Sequence, residues 1–297
     1  MTSNMMIQHL FNALMLGSLY GLIAIGYTMV YGILRLINFA HGDIFMISTY
    51  FVFVAIAMLN MPWIPAVILS IAATAVFGFM IDRVAYRPLR SAPRISALIS
   101  AIGVSFFIEN LCLVIFTGVP KPMPRFEPLV KVISLGDVRI LPLVIFVPVI
   151  SFILVGALLW MLYRTKPGLA MRAISRDIET TRLMGVKVDR IIALTFAVGS
   201  ALAACAGIMW ALRYPQIHPF MGVFPGLKAF IAAVLGGIGS VQGAMIGGLL
   251  LGFMEILLVA FFPALSGYRD AFAFVLLIVI LFYRPTGLMG EKMEDKI

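Results

Sequence analysis

The sequence predicts an all-α, polytopic helical membrane protein with eight or nine crossings. Three observations predict it. Of 297 residues, 62% are hydrophobic and only 12% charged, where soluble domains are about a quarter charged. Mean hydropathy is +1.08. Apolar runs of membrane-crossing length recur along the whole chain. The Lys and Arg residues collect in short stretches between those runs, as in cytoplasmic loops. A β-barrel is excluded, because its alternating strands give no such runs. The net charge of +9 reads as this positive-inside bias, not as nucleic-acid binding: no basic segment is interleaved with aromatics in a soluble domain.

The runs fall at 8–34, 42–60, 62–82, 97–118, 140–163, 191–212, 226–238, 243–263 and 270–284. The first is long and holds Gly17, Gly21, Gly26 and Gly32, which marks a candidate kink. The run 226–238 is short for a full crossing, so a re-entrant or broken helix is expected there. Residues 1–9 carry no Lys or Arg and no small-residue cleavage pattern, so the first crossing is expected in the mature protein rather than a signal peptide. Cys112 and Cys205 lie inside apolar runs without metal spacing or a redox partner, and read as small hydrophobes. No metal or cofactor is expected.

Orientation follows from the basic loops. The loop 83–96 carries Arg83, Arg87, Arg90 and Arg94. The stretch 164–190 carries Arg164, Lys166, Arg172, Arg176, Arg182, Lys187 and Arg190. Two crossings separate them, so both are expected in the cytoplasm, with the loop 119–139 outside and the tail from Arg284 inside. The N-terminus then lies outside if all nine runs cross. One re-entrant run would reverse it. The whole chain, 1–297, reads as a single transmembrane domain with one cytoplasmic docking segment at about 164–190.

That segment holds more than a loop needs. After Pro167 and Gly168, Ser175 is placed to cap a helix over 176–184, with Asp177 and Glu179 in its first turn, Arg182 in its last, and Gly185 just past its end. Gly168, Arg172, Arg176, Asp177, Glu179 and Gly185 are therefore candidate docking residues. The plain alternative is a solvated connector.

Two further segments exceed hydropathy. Between Gly26 and Asp43, the polar residues Tyr27, Thr28, Tyr31, Asn38, His41 and Asp43 interrupt apolar sequence. In lipid such side chains are tolerated where they face protein or a water-filled path. One His and one Asp make no metal site, and no nucleophile stands nearby. The alternative is an interfacial loop with a helix cap. The second segment is glycine-rich: Gly239, Gly243 and Gly247 recur every fourth residue, as do Gly248 and Gly252, and Gly199, Ala203 and Gly207 repeat the pattern. Such spacing makes a flat face for close helix approach. Gly236, Gly237 and Gly239 are also candidates for an unwound stretch lining the route. The segments around Gly42 and Gly243 are loosely alike, which admits an internal repeat. Glu109 and Glu255 read as the ionisable groups inside runs, with no Lys or Arg beside either, so a proton relay has little support. No Gly-Lys dipeptide occurs, so there is no Walker A loop, and neither His-Glu-x-x-His nor Gly-x-Ser-x-Gly is present. The chain is not expected to be an enzyme.

These segments carry a resemblance. Ala24-Ile-Gly-Tyr-Thr-Met-Val-Tyr-Gly32, Ile37-Asn-Phe-Ala-His-Gly-Asp43, Arg83-Val-Ala-Tyr-Arg-Pro88, Ala97-Leu-Ile-Ser-Ala-Ile-Gly103, the stretch 229–252 and Pro285-Thr-Gly287 resemble permease subunits of the bacterial high-affinity branched-chain amino acid ABC transporters. The likeness covers nearly the whole chain. It implies a heteromeric importer in the inner membrane: two different permease subunits, two ATPase subunits that supply ATP hydrolysis, and a periplasmic substrate-binding protein. It implies that this chain forms half of the translocation path and that 168–188 meets the ATPase. Glu109 stands where the family commonly has a neutral amide. The competing readings are a permease for urea or short amides, a proton-coupled secondary transporter using Glu109 or Glu255, and a membrane scaffold.

Overall fold

A computed structural model describes residues 3–90, 92–135 and 138–290; the chain's ends, including the tail beyond 290 expected inside, lie outside the described residues. Twelve helices appear among them. In order they are α1 (Ser3–Leu34), α2 (His41–Phe53), α3 (Trp63–Ile81), α4 (Arg94–Phe116), the short α5 (Glu127–Val130), α6 (Pro142–Arg164), α7 (Lys166–Arg176), α8 (Ile178–Leu183), α9 (Val188–Arg213), α10 (Val223–Gly236), α11 (Val241–Phe261) and α12 (Arg269–Tyr283). Eight helical stretches are long and apolar enough to cross a membrane. The protein is an all-α, multi-pass membrane protein.

α10, at 14 residues, rises only about 21 Å at 1.5 Å per residue. It is the broken crossing expected at 226–238.

Small β pairings fix which ends lie together. β1 (Lys121–Pro122) pairs antiparallel with β4 (Gln216–Ile217), so the chain leaving α4 meets the chain leaving α9. β2 (Ile133–Leu135) and β3 (Val138–Ile140) form a hairpin in the same long loop. Trp63, at the start of α3, packs against Phe126 of that loop with tilted rings whose centroids are 5.3 Å apart. At the other end, Asp189 of α9 binds Arg87 and Arg90 beyond α3. The basic stretches 83–96 and 164–190 therefore share one end of the bundle, as the charge count requires.

α1 runs antiparallel to α9: Tyr20 meets Trp210, and Gly26 faces Gly199. Its start lies at the end opposite the basic loops, and its C-terminal turn, at Gly32, lies over Gly239 at the basic end. The chain thus passes from end to end nine times among the described residues, with 214–222 completing the passage that α10 is too short to make.

The glycines of α1 do not break its winding. Its 32 residues form one continuous helix. The glycines serve close contact instead: Gly17 and Gly21 lie against Gly248, Leu249 and Met245 of α11, while Gly26 lies against His41 and Gly199. A Cβ at Gly248 or Gly252 would run into the α1 backbone. Lipid tails give helices no hydrophobic reason to associate, so small residues that admit close approach carry the packing.

The Gly239/Gly243/Gly247 face is corrected in part. Gly239 lies outside any helix at φ +102°. Ser240 caps α11, its side chain accepting from the Gly243 N–H. Gly243 and Gly247 alone form the face, and they meet Gly236 and Ala232 of α10 within the same chain.

The arrangement repeats itself. α1 and α9 are each followed by a non-helical return and then a helix that starts inside the bundle. Those two starts touch: Gly42 of α2 lies against Gly222 and Gly226 of α10. α1 packs along α11 as α9 packs along α3, where Gly78 sits over Ser200. The repeat therefore relates α1–α2–α3 to α9–α10–α11 with inverted direction. The segment corresponding to Gly42 is around Gly222, not around Gly243.

Candidate functional site

The first region is the basic end between α6 and α9. The helix expected over 176–184 is present as α8, with a different cap, and a second helix, α7, precedes it. Thr165 caps α7, its side chain accepting from the Gly168 N–H. Gly168 is pressed onto Met161 and Leu162 of α6, where a Cβ would collide with backbone. Arg172 closes the same joint: its Nε donates to the Leu162 carbonyl at 3.2 Å, and its guanidinium lies 5.0 Å over the Tyr163 ring. Ser175 falls in the last turn of α7, and its hydroxyl donates back to the Arg172 carbonyl at 2.7 Å. Lying inside α7, Ser175 is not placed to cap the helix that follows.

Asp177 does the capping. α7 ends at Arg176, Asp177 adopts an extended conformation, and its Oδ1 accepts the N–H groups of Glu179 and Thr180 at 3.0 and 3.1 Å. Its Oδ2 accepts the Thr180 hydroxyl at 2.7 Å. This is the carboxylate-at-N-terminus geometry that helix ends favour. α8 stops at Leu183, and Gly185 turns the chain at φ +81°, as its position past the helix predicted.

Met171, Ile174 and Thr181 anchor this pair of helices to the bundle, while Arg172, Arg176, Glu179 and Arg182 face outward. Leu183 and Met184 project beside them, 87% and 79% exposed. Two apolar tips amid arginines, beyond the membrane-crossing stretches, suit protein contact better than lipid or water.

The second region lies inside the bundle. A narrow cleft is lined by Tyr27, Thr28 and Tyr31 of α1, Ile37 of the return, Phe230 and Ala233 of α10, and Ile238. Tyr27 is edge-on to His41, with centroids 4.7 Å apart, and meets Phe230 at 6.1 Å. Asn38, His41 and Asp43 are all buried but do not converge. Asn38 accepts the Tyr86 hydroxyl at 2.7 Å and, through its backbone carbonyl, the His41 N–H at 3.1 Å. His41 lies under Gly26. Asp43 points to α4, accepting from Ser105 of the helix that also carries Glu109. No side chain caps α2, whose first flanking residue is Ala40, so the helix-cap alternative is set aside.

The unwinding expected at Gly236, Gly237 and Gly239 is present. α10 ends at Gly236, and Gly237 takes φ +104°. It does not open onto the cleft through these glycines. The C-terminal segment covers Gly236 and Gly237, with Leu288 and Met289 donating to the Leu235 and Gly236 carbonyls, both at 2.9 Å, while Gly239 is exposed.

Glu255, which has no Lys or Arg beside it in sequence, finds a basic partner across helices. Lys228, in the middle of α10, places its Nζ 2.9 Å from Glu255 Oε1 and 2.7 Å from Asp270. The Tyr20 hydroxyl donates to Glu255 Oε2 at 2.9 Å. The signal was a lone Lys in an apolar run; the pairing needed the fold. Asp43 and Asp82 also stand inside crossing stretches, buried, beside the two glutamates expected there. Among the described residues, no group of three or more His, Cys, Asp or Glu is placed to hold a metal.

Residues 9–281 match the family model described as branched-chain amino acid transport system / permease component. The chain is 44% identical to the high-affinity branched-chain amino acid transport system permease protein BraD of Pseudomonas aeruginosa, over 98% of both chains. It is 41% identical to the permease protein LivH of Escherichia coli, over 98% of this chain and 97% of that one. It is 26% identical to a probable branched-chain amino acid transport permease of Methanocaldococcus jannaschii, over 94% of this chain and 90% of that one. No solved structure matches.

Proposed function

The chain belongs to the family of branched-chain amino acid transport system permease components, and from that premise we propose the part it plays in its transporter. It lies in a bacterial inner membrane and forms one half of the translocation path of an ABC importer for branched-chain amino acids. A second permease subunit forms the other half. Two ATPase subunits bind the basic end, and a periplasmic binding protein delivers substrate to the opposite end. The chain itself hydrolyses nothing.

The observation that carries the reading is the α7–α8 pair, with Leu183 and Met184 projecting among Arg172, Arg176 and Arg182 at the basic end. Gly168, Arg172, Asp177 and Gly185 set its shape; Arg176 and Glu179 contribute to its outer face. Transport needs a route as well, since a zwitterion cannot enter hydrocarbon unaided. The cleft at Tyr27 and Tyr31 is the proposed wall of that route. It lies where two helices begin inside the bundle, a construction used for ion and substrate passage.

The experiment is uptake of labelled leucine by the five-part complex in liposomes, in competition with isoleucine, valine, urea and short amides. Competition by isoleucine and valine supports the proposal. Competition by urea or amides alone replaces the substrate and keeps the mechanism.

A further inference from the structure

We infer that Asp189, Arg90 and Tyr86 are positioning residues for transport, joining the corner between α8 and α9 to the break at which α2 begins. The inference rests on the reading of α7–α8 as the ATPase contact.

Asp189 lies in the first turn of α9, just after the Gly185 corner. Its Oδ1 takes Arg90 at 2.6 Å and its Oδ2 takes Arg87 at 3.0 Å. Arg90 also reaches inward to the buried carboxylate of Asp82 at the end of α3. One turn further, the Tyr86 hydroxyl donates to Asn38 in the return between α1 and α2. The Asn38 carbonyl accepts the His41 N–H, and the His41 ring meets Tyr27 at the cleft wall. The winding 82–90, which carries Asp82, Tyr86 and Arg90, thus joins the ion pairs at the docking corner to the Tyr86–Asn38 bond beside the cleft.

The two halves of this chain differ. At the outer half Asp189 and Arg87 are 44% and 46% exposed, so their pairing is solvated and easily exchanged. At the inner half Asp82, Tyr86 and Asn38 are buried, and an unmade hydrogen bond there is costly. A movement of α8 can therefore remake the outer pairings while the inner ones hold their geometry and carry the shift to Asn38. Residues 82–86 are wound as a wider π turn, a form common at sites of function. A stabilising pin would need neither feature. Hydrogen-bonded networks with two arrangements are what couples distant sites.

The test uses the whole complex in liposomes and reads substrate taken up per ATP hydrolysed. Asp189→Asn and Tyr86→Phe should each assemble and hydrolyse ATP as the wild type does, while uptake per ATP falls about tenfold, within the usual range of coupling between sites. The double variant should fall no further, since links of one chain are not additive. Asp189→Glu should restore uptake. Should Asp189→Asn not assemble, Tyr86→Phe, which removes a single oxygen, decides alone. Unchanged uptake per ATP in either single variant, or a double variant that multiplies the two losses, overturns the inference. A wild-type complex without ATP-driven uptake would refute the importer reading itself, and the inference with it.

Discussion

Lys228 and Glu255 face each other at 2.9 Å, and each is the sole charged residue of its helix. Neither charge could be held in lipid alone. Together with the Tyr20 hydroxyl and Asp270 they form a satisfied network that fixes α10 to α11, α1 and α12.

Breaking such a pair from one side leaves an uncompensated buried charge, at a cost of about 3–5 kcal/mol. Lys228→Met and Glu255→Leu should each lower the unfolding midpoint of the purified subunit strongly. The double variant, which removes both charges, should recover a large part of the loss. Thermal unfolding in detergent, followed by tryptophan fluorescence, reads it. Additive losses would mean the two side chains act independently.

Gly185 sits at φ +81° with open space where a Cβ would project. Substitution there is a matter of backbone conformation alone. A β-branched residue is a true outlier at positive φ, with a strain of about 1–2 kcal/mol. Gly185→Val should therefore redirect the α8–α9 corner without disturbing the crossings. Membrane insertion should be normal and co-purification of the ATPases lost. A Gly185→Val subunit that keeps its ATPases and transports normally would remove α7–α8 as the docking site.

Much of this arrangement was legible in the sequence. The runs gave the crossings, the short run 226–238 gave α10, and the basic stretches gave the shared end. Gly185 was legible because a helix end needs a residue tolerant of positive φ. Ser175 was not legible as a non-cap, since Ser and Asp are equally good candidates two positions apart, and the choice turned on where α7 stopped. The Lys228–Glu255 pair was hidden by a separation of 27 residues in sequence, which only the hairpin of α10 and α11 closes. The Gly239/Gly243/Gly247 spacing misled at its first member because four-residue spacing continues into a turn as readily as along a helix.

Gly243 provides a graded packing test. A Cβ there would run into the Gly236 carbonyl across the α10–α11 contact, whereas Gly103 and Gly156 have nothing within 4 Å of such a carbon. Gly243→Leu should abolish folding or assembly, measured as the monodisperse fraction in detergent. Gly103→Ala and Gly156→Ala should be neutral or stabilising, by up to about 1 kcal/mol, because Ala favours the helix. An assembled, active Gly243→Leu complex would rule out close packing at that point.

Glu109 lies four residues along α4 from Ser105, whose hydroxyl donates to Asp43. An importer driven by ATP needs no proton released from Glu109, so a glutamine there, of nearly the same shape and still able to donate and accept hydrogen bonds, meets the same packing. Glu109→Gln should therefore retain most of the ATP-driven uptake. If Glu109 instead relayed protons for transport, the amide variant would be inactive, since it cannot release a proton. An uncoupler separates the two cases in the wild type: with ATP supplied to the basic end, accumulation should persist when the proton gradient is collapsed. Uptake that vanishes with the gradient while ATP remains would replace the ATP-driven importer with a proton-coupled carrier.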